Sequence, residues 1–166
     1  DSDLIGYGTL NCMFKLNDEQ EGTLVRKRDL AASSSSKLDL LDFSDAMIAT
    51  MCVAAGCDYC ENLKNVGIIT ARDIVYHAFL GTNHCGRTKV FSPLERTFDG
   101  LFSKTSLKLT HPEKEEYKRS FLHALLMFQY SVVFDPISGK CTYSRDPLTD
   151  IDRDLAKYKP YVNLCK

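Results

Sequence analysis

The pattern of apolar and polar positions changes once along the chain. Apolar residues occupy every second position from 10 to 16, which predicts a strand. The polar segment 17–22 predicts a turn, and segment 23–30 predicts the partner strand of a β-hairpin. Serines fill positions 33–36 and predict a flexible loop, because they bury no apolar surface.

From position 44 the apolar residues recur at helical spacing, which predicts four helices. The first ends at Gly56 and the second runs from about Ile68 to Leu80. The long fourth helix carries a core stripe that includes Phe121 and Phe128. The start signals are an N-cap or a capping box, carried by Ser44, by Ser92 with Glu95, and by Thr110 with Glu113.

A short apolar run after the fourth helix, at 132–135, predicts a buried strand that Pro136 ends. The polar tail at 149–163 predicts one marginal helix. Strands therefore dominate the first part of the chain and helices the second.

Composition narrows the classes of function. The 166 residues are 44% hydrophobic, enough for one domain or a piece of a larger one. A net charge of −1 means that nucleic-acid binding would need a local basic patch. No apolar run reaches membrane-spanning length. Seven cysteines, an odd number, favour reduced thiols in an intracellular compartment.

Two acids, Asp1 and Asp3, stand two positions apart, with one residue between them. On an extended strand they would share a face, roughly 6.6 Å apart, and would repel unless a cation or water screened them. A solvated acidic segment is the ordinary alternative.

A second candidate site lies between the first two helices. Such a loop exposes backbone N–H groups at the second helix N-terminus, which can bind an anion such as a DNA phosphate. Gly67 would permit close approach, and Lys64 and Arg72 add positive charge. An ordinary helical hairpin with a helix-stop glycine explains the same residues.

Three segments occur in the order and spacing of a known family: DSDLIGYG, AAGCDYCENLKNVG and FQYSVVFDP. The chain resembles the structure-specific 5′ nucleases, the flap endonuclease superfamily. The last segment, followed by the acidic DIDRD, makes it most similar to the exonuclease 1 branch.

The resemblance implies an α/β fold, the C-terminal half of a 5′ nuclease, PIN-like core. Residues 1–43 would be the remnant of a parallel sheet with a β-hairpin and a flexible serine loop. Residues 44–166 would be a mainly helical subdomain, with a helix–two-turn–helix at about 45–80.

The resemblance also implies site residues. Asp1, Asp3 and Asp58 would be catalytic and would hold two Mg²⁺ or Mn²⁺ ions. Asp58 is expected in a buried setting, which such ions would make tolerable for a charge.

The loop and second helix would grip duplex DNA. The residues implied for this contact are Lys64, Asn65, Gly67, Thr70 and Arg72. Asn62 could ligate a K⁺ ion where the family has a serine. Asn65 replaces the first glycine of the family's turn and tolerates its left-handed conformation, and Thr70 replaces a lysine.

The implied function is 5′–3′ exonuclease or flap endonuclease action in DNA repair or replication, in the nucleus. Partners would be DNA with 5′ ends, flaps or nicks, the missing N-terminal nuclease half, and repair or replication proteins, with no membrane. We expect this piece alone to cleave poorly. The alternative is a non-catalytic module that binds duplex DNA or a protein partner.

Other site types fit the sequence less well. Cys57 and Cys60 lack a second ligand pair at zinc spacing and follow a helix, unlike a thioredoxin motif. The acidic run 150–154 lacks the glycine and glutamate of a calcium loop. No phosphate-binding loop of an NTPase is present. His77 and His123 lie beside apolar helix positions and suggest structural roles.

Overall fold

A computed structural model describes residues 3–30, 38–80 and 92–144. Asp1, the serine loop and the polar tail with its predicted helix lie outside the described residues. The elements, in chain order, are α1 (Asp3–Gly6), β1 (Asn11–Phe14), β2 (Thr23–Arg26), α2 (Lys27–Leu30), α3 (Asp45–Ala55), α4 (Ile68–Leu80), α5 (Pro93–Lys104), α6 (His111–Tyr130), β3 (Val132–Asp135) and β4 (Lys140–Tyr143).

The predicted β-hairpin is present. β1 and β2 pair antiparallel, with Asn11 opposite Arg26 and Phe14 opposite Thr23. β3 and β4 form a second antiparallel pair. Within the described ranges both sheets have two strands, so the parallel-sheet remnant stays a prediction.

Two predicted extended segments are helical instead. The strand expected around Asp3 is wrong, because Asp3–Gly6 form a helical turn in which the Tyr7 N–H donates to the Asp3 carbonyl at 3.1 Å. The strand expected over 23–30 ends at Arg26, and α2 follows directly. There Lys27 Nζ lies 2.6 Å from the Asp45 carboxylate, which draws the chain toward the start of α3.

All four predicted helices are confirmed, and their caps are local. The Met47 N–H donates to Ser44 Oγ at 3.3 Å, and Gly56 leaves α3 at φ +101°. The Ser92–Glu95 capping box has both of its hydrogen bonds, at 3.0 and 3.2 Å. The Thr110 N–H donates to Glu113 Oε2 at 2.7 Å.

None of the described helices is long and apolar enough to cross a membrane.

The core lies among the four long helices. Its largest fully buried apolar side chains are Val53, Val66, Val75, Phe98, Leu101, Phe121, Leu122, Leu125 and Phe128. This confirms the predicted apolar stripe of α6, in which Tyr117 is partly buried. α4 and α5 pack closely because a Cβ at Gly100 would stand 2.7 Å from Ile74 Cγ2.

The prediction that β3 is buried is wrong. Val132 is 61% exposed and Phe134 is 64% exposed. β3 pairs with β4, every residue of which is also exposed. An apolar run alone cannot show whether another layer covers a strand, and here the hairpin leaves these side chains in solvent.

Candidate functional site

Two short segments meet on one aromatic side chain of α6. The ring of Phe128 lies 4.8 Å from the ring of Tyr7 and 6.0 Å from that of Tyr59, both edge-to-face. The hydroxyls of Tyr7 and Tyr59 are 2.9 Å apart and share a hydrogen bond. A Cβ at Gly6 would stand 2.9 Å from Phe128 Cε1, so the glycine lets α1 rest on this ring.

The aromatic contact holds two of the predicted acids in one neighbourhood. Asp3 lies one helical turn before Tyr7, and Asp58 directly precedes Tyr59. Burial raises the pKa of the Cys57 thiol, and both carboxylates raise it further. The Tyr7 hydrogen bond and burial raise the pKa of Tyr59 to about 12, again with a contribution from both carboxylates. Asp3 and Asp58 therefore lie in segments that the Tyr7–Tyr59 hydrogen bond joins, and both act electrostatically on Cys57 and Tyr59. Asp1 lies outside the described residues.

Asp58 is exposed, so the expectation of a buried carboxylate is wrong. Cys57 and Cys60 close a tight turn through two backbone hydrogen bonds, at 2.9 and 3.2 Å. This turn buries Cys60 and leaves Asp58 and Tyr59 at its exposed tip. The carboxylate is therefore open to a ligand from solvent.

The two carboxylates fit a site for a hard divalent cation in donor type. Their oxygens are the ligands that Mg²⁺ and Mn²⁺ prefer, and they come from separate segments that the tyrosine pair connects. Among the described residues no group of three or more His, Cys, Asp or Glu side chains could hold a metal ion. Asp3 and Asp58 by themselves are therefore an incomplete set of protein ligands.

The neighbouring thiols are poor metal ligands by comparison. Burial raises the pKa of Cys52 to about 11 and that of Cys60 to about 12. A thiol must lose its proton to bind zinc or to act as a nucleophile. These cysteines are consequently held in the neutral form near pH 7.

The loop between α3 and α4 is anchored from inside. Asn62 Nδ2 donates to the Val66 carbonyl at 2.8 Å, and the Val66 N–H donates to the Leu63 carbonyl at 2.9 Å. Leu63 and Val66 are buried, which fixes the loop against the core. Asn65 has φ +70°, the left-handed conformation that the sequence allows it.

The outer side of this loop is open. Lys64, Asn65 and Gly67 are exposed, and Thr70 is half-buried. The Gly67 carbonyl accepts the Ala71 N–H at 2.9 Å, so Gly67 is the residue from which α4 begins. No atom lies within 4 Å of a Cβ built at Gly67. Free N–H groups of the first helical turn can thus face an approaching anion.

Arg72 has a structural environment that sequence reasoning missed. Its Nε donates to the Asp39 carbonyl at 2.7 Å, and its Nη1 lies 3.1 Å from the Asp73 carboxylate. Its guanidinium carbon lies 4.8 Å from the Tyr76 ring centroid and 5.6 Å from that of Phe43. The side chain is 18% exposed. Its predicted DNA contact remains a prediction beside this structural role.

The Asn62 amide likewise has a structural partner. Its nitrogen donates to Val66, a carbonyl of the same loop, so the side chain ties the two ends of the turn together. A K⁺ ion there would need oxygen atoms, and the Asn62 Oδ1 is the side chain's one acceptor. Potassium binding at Asn62 stays a prediction.

Tyr7, Tyr59 and Phe128 form a contact between distant segments that the sequence reasoning did not identify. Two of them stand in the segments DSDLIGYG and GCDY, beside the acids. Phe128 belongs to the predicted stripe of α6. The position of each tyrosine next to a predicted acid was visible in the sequence. The hydrogen bond between Tyr7 and Tyr59 joins residues 52 positions apart, and no local pattern predicts it.

Relatives named as exonucleases or as DNA damage-inducible match most of the chain. It is 34% identical to exonuclease 1 of Arabidopsis thaliana over 98% of this chain and 19% of that protein. It is 31% identical to exodeoxyribonuclease 1 of Saccharomyces cerevisiae over 84% of this chain and 17% of that protein. The yeast DNA damage-inducible protein DIN7 is 29% identical over 86% of this chain and 29% of that protein.

No protein-family model matches the chain. The chain spans less than a third of the length of each of these relatives. Identity above 30% over nearly all of it nevertheless agrees with the resemblance carried by its three motif segments. These matches support a fragment of the 5′ nuclease family, which corresponds to a section of those longer exonuclease 1 relatives.

Proposed function

We propose that the chain is the C-terminal half of the core of a divalent-metal-dependent 5′–3′ DNA exonuclease or flap endonuclease. Its substrates would be DNA phosphodiesters at 5′ ends, flaps or nicks. The whole protein would act in the nucleus in DNA repair or replication, with repair or replication proteins as partners. The relatives' names support the exonuclease chemistry.

The observation that supports the proposal is the hydrogen bond between Tyr7 and Tyr59, which joins the two segments that carry Asp3 and Asp58. Two carboxylates close to each other would repel, and a cation bound between them would offset that repulsion. Asp1, two positions before Asp3, would complete the three-acid set. Two divalent ions bound there would activate a water and stabilise the leaving oxygen of a phosphodiester.

The chain's own residues would bind and orient the DNA. The loop 62–67 and the first turn of α4 would hold backbone phosphates through free N–H groups, with Lys64 adding charge. Such contacts do not read the base sequence. They would fix the duplex so that one phosphodiester reaches the acids. As a separate piece this chain would bind duplex DNA and cleave it poorly.

Binding of Mn²⁺ to the 166-residue chain is the first test. We expect Asp3→Asn and Asp58→Asn each to weaken Mn²⁺ binding in calorimetry or electron paramagnetic resonance. Asp99→Asn is the matched control, since Asp99 is an exposed acid of α5. Equal affinity in Asp58→Asn and the control would contradict the metal site.

Cleavage by the complete protein is the second test. We expect Asp58→Asn to abolish metal-dependent cleavage of a duplex with a recessed end while leaving duplex binding intact. Salt-sensitive binding that Lys64→Ala weakens, in a protein without metal-dependent cleavage, would support the non-catalytic DNA-binding module instead.

A further inference from the structure

A surface cleft between α4 and α5 continues from the loop. Its volume is about 620 Å³, and its polar lining includes Asn65, Thr70, Asp73, His77, Arg96 and Lys104. Asn65 and Thr70 also belong to the candidate DNA contact. The remaining polar residues do not, and sequence reasoning assigned His77 a structural role beside apolar positions. His77 is exposed.

The packing of the two helices shapes this cleft. Gly100 and Ile74 both line it, and a Cβ at position 100 would stand 2.7 Å from Ile74 Cγ2, which would force a shift. The helices therefore approach closely at this point. Residues at helical spacing on each side of the contact, such as Thr70 and His77 on α4, then line one continuous trough.

The charge of the cleft favours an anion. Arg96 and Lys104 contribute two cations to its lining. Asp73 is the acid among the lining residues, and Arg72 lies 3.1 Å from it and offsets its charge. Lys104 is exposed, and no ion pair joins it to another residue of the described ranges. It can reach a ligand without breaking a described contact.

The length of the trough matches a backbone rather than a single ion. The rise from Thr70 to His77 on α4 is about 10 Å at 1.5 Å per residue. Along the duplex axis one strand of B-DNA advances about 3.4 Å per nucleotide, so a trough parallel to that axis spans about three steps. Hydroxyl, imidazole and ammonium groups along this line are typical phosphate partners.

We propose that the α4–α5 cleft is a second phosphate-binding segment, which extends the duplex contact from the loop along α4 to Lys104. The ligand is the sugar-phosphate backbone of duplex DNA. The inference rests on the proposed duplex binding by the loop and adds residues to it. It predicts that the electrostatic contact is longer than the loop alone can make.

The salt dependence of duplex binding tests the proposal. Fluorescence anisotropy with a labelled blunt duplex would be followed from about 50 to about 200 mM salt. We expect Lys104→Gln to make the slope of log K against log salt shallower by about 0.9, the value for one lost phosphate contact. At about 0.1 M salt the affinity should fall about fivefold to tenfold.

Matched variants separate the cleft from the loop. Lys140→Gln removes an exposed lysine of β4 outside the cleft and should bind as the unmodified chain does. If Lys64→Gln makes the slope shallower and Lys104→Gln does not, the cleft proposal is overturned and the loop contact stands. If the unmodified chain shows no salt-dependent duplex binding, the loop contact and the cleft both fall. Circular dichroism would verify that each variant is folded.

Discussion

Arg72 allows a structural role to be separated from DNA binding. We expect Arg72→Ala to lower the free energy of unfolding, because the guanidinium is 18% exposed and engaged on several sides. The hydrogen bond from its Nε to the Asp39 carbonyl is 2.7 Å long and links the start of α4 to a residue 33 positions earlier. The variant would thus loosen the segment that precedes α3.

The size of the effect follows from the contacts. A hydrogen bond from a charged donor contributes about 1.5 kcal/mol at the low end of its range. The cation–π contact with Tyr76, at 4.8 Å, contributes about 1 kcal/mol in a half-buried setting. The Asp73 pair contributes at most about 0.5 kcal/mol, because that carboxylate is exposed. We therefore expect a loss of about 2–3 kcal/mol for Arg72→Ala.

Urea unfolding followed by circular dichroism measures this loss, and duplex binding is measured on the same samples. Arg72→Lys should lose more than half of the same stability, since an ammonium cannot stack and donate in the planar geometry of a guanidinium. Lys64→Ala is the comparison, with unchanged stability and weaker duplex binding. An Arg72→Ala variant that unfolds like the unmodified chain but loses duplex binding would refute the structural reasoning and make Arg72 a phosphate contact.

Three further predictions concern packing, thiol reactivity and acid stability. Gly100→Ala should lower the free energy of unfolding by about 1–3 kcal/mol, measured by thermal or urea unfolding. The loss should be smaller in an Ile74→Ala background, and strictly additive effects of the two substitutions would contradict the close contact. Iodoacetamide at about pH 8 should modify exposed Cys141 well before buried Cys60, whose pKa burial raises to about 12; equal rates by mass spectrometry would contradict this. Hydrogen bonds from Thr110 lower the pKa of the Glu113 carboxyl in the folded protein. The carboxylate therefore stabilises the fold fully above its pKa in the unfolded chain, and this stabilisation is lost as the pH falls through its pKa in the folded protein. Glu113→Gln should flatten the acid limb of stability against pH, and an unaltered limb would count against the capping bond.

The helices could be predicted because their signals are local. Ser44, Ser92 and Thr110 each stand at an N-cap, and the partner of each capping box lies three residues later. The same holds for Asn65, whose left-handed φ depends on its own side chain and its neighbours. Such features need no knowledge of the rest of the fold.

The remaining features depend on contacts between distant residues. The helical turn at Asp3 is stabilised by packing on Phe128, more than a hundred positions away along the chain. Asp58 is exposed because the turn that carries it folds outward, which its apolar and cysteine neighbours do not reveal. The contact of Arg72 with Tyr76 could have been predicted from the sequence, because the two residues are four positions apart on one helix. The contact with the Asp39 carbonyl could not, because it joins residues 33 positions apart.

The hydrogen bond between Tyr7 and Tyr59 has a consequence for how the acids respond to their surroundings. Neither phenol needs a charge to make it, and the pKa of Tyr59 is raised to about 12. The brace between the two acid-bearing segments should therefore outlast chelation by EDTA and moderate alkali alike. The segments that carry Asp3 and Asp58 would stay joined through the two tyrosines whether or not the proposed cations are bound. Removing the metal from the proposed site should therefore abolish activity and leave the fold of these segments intact.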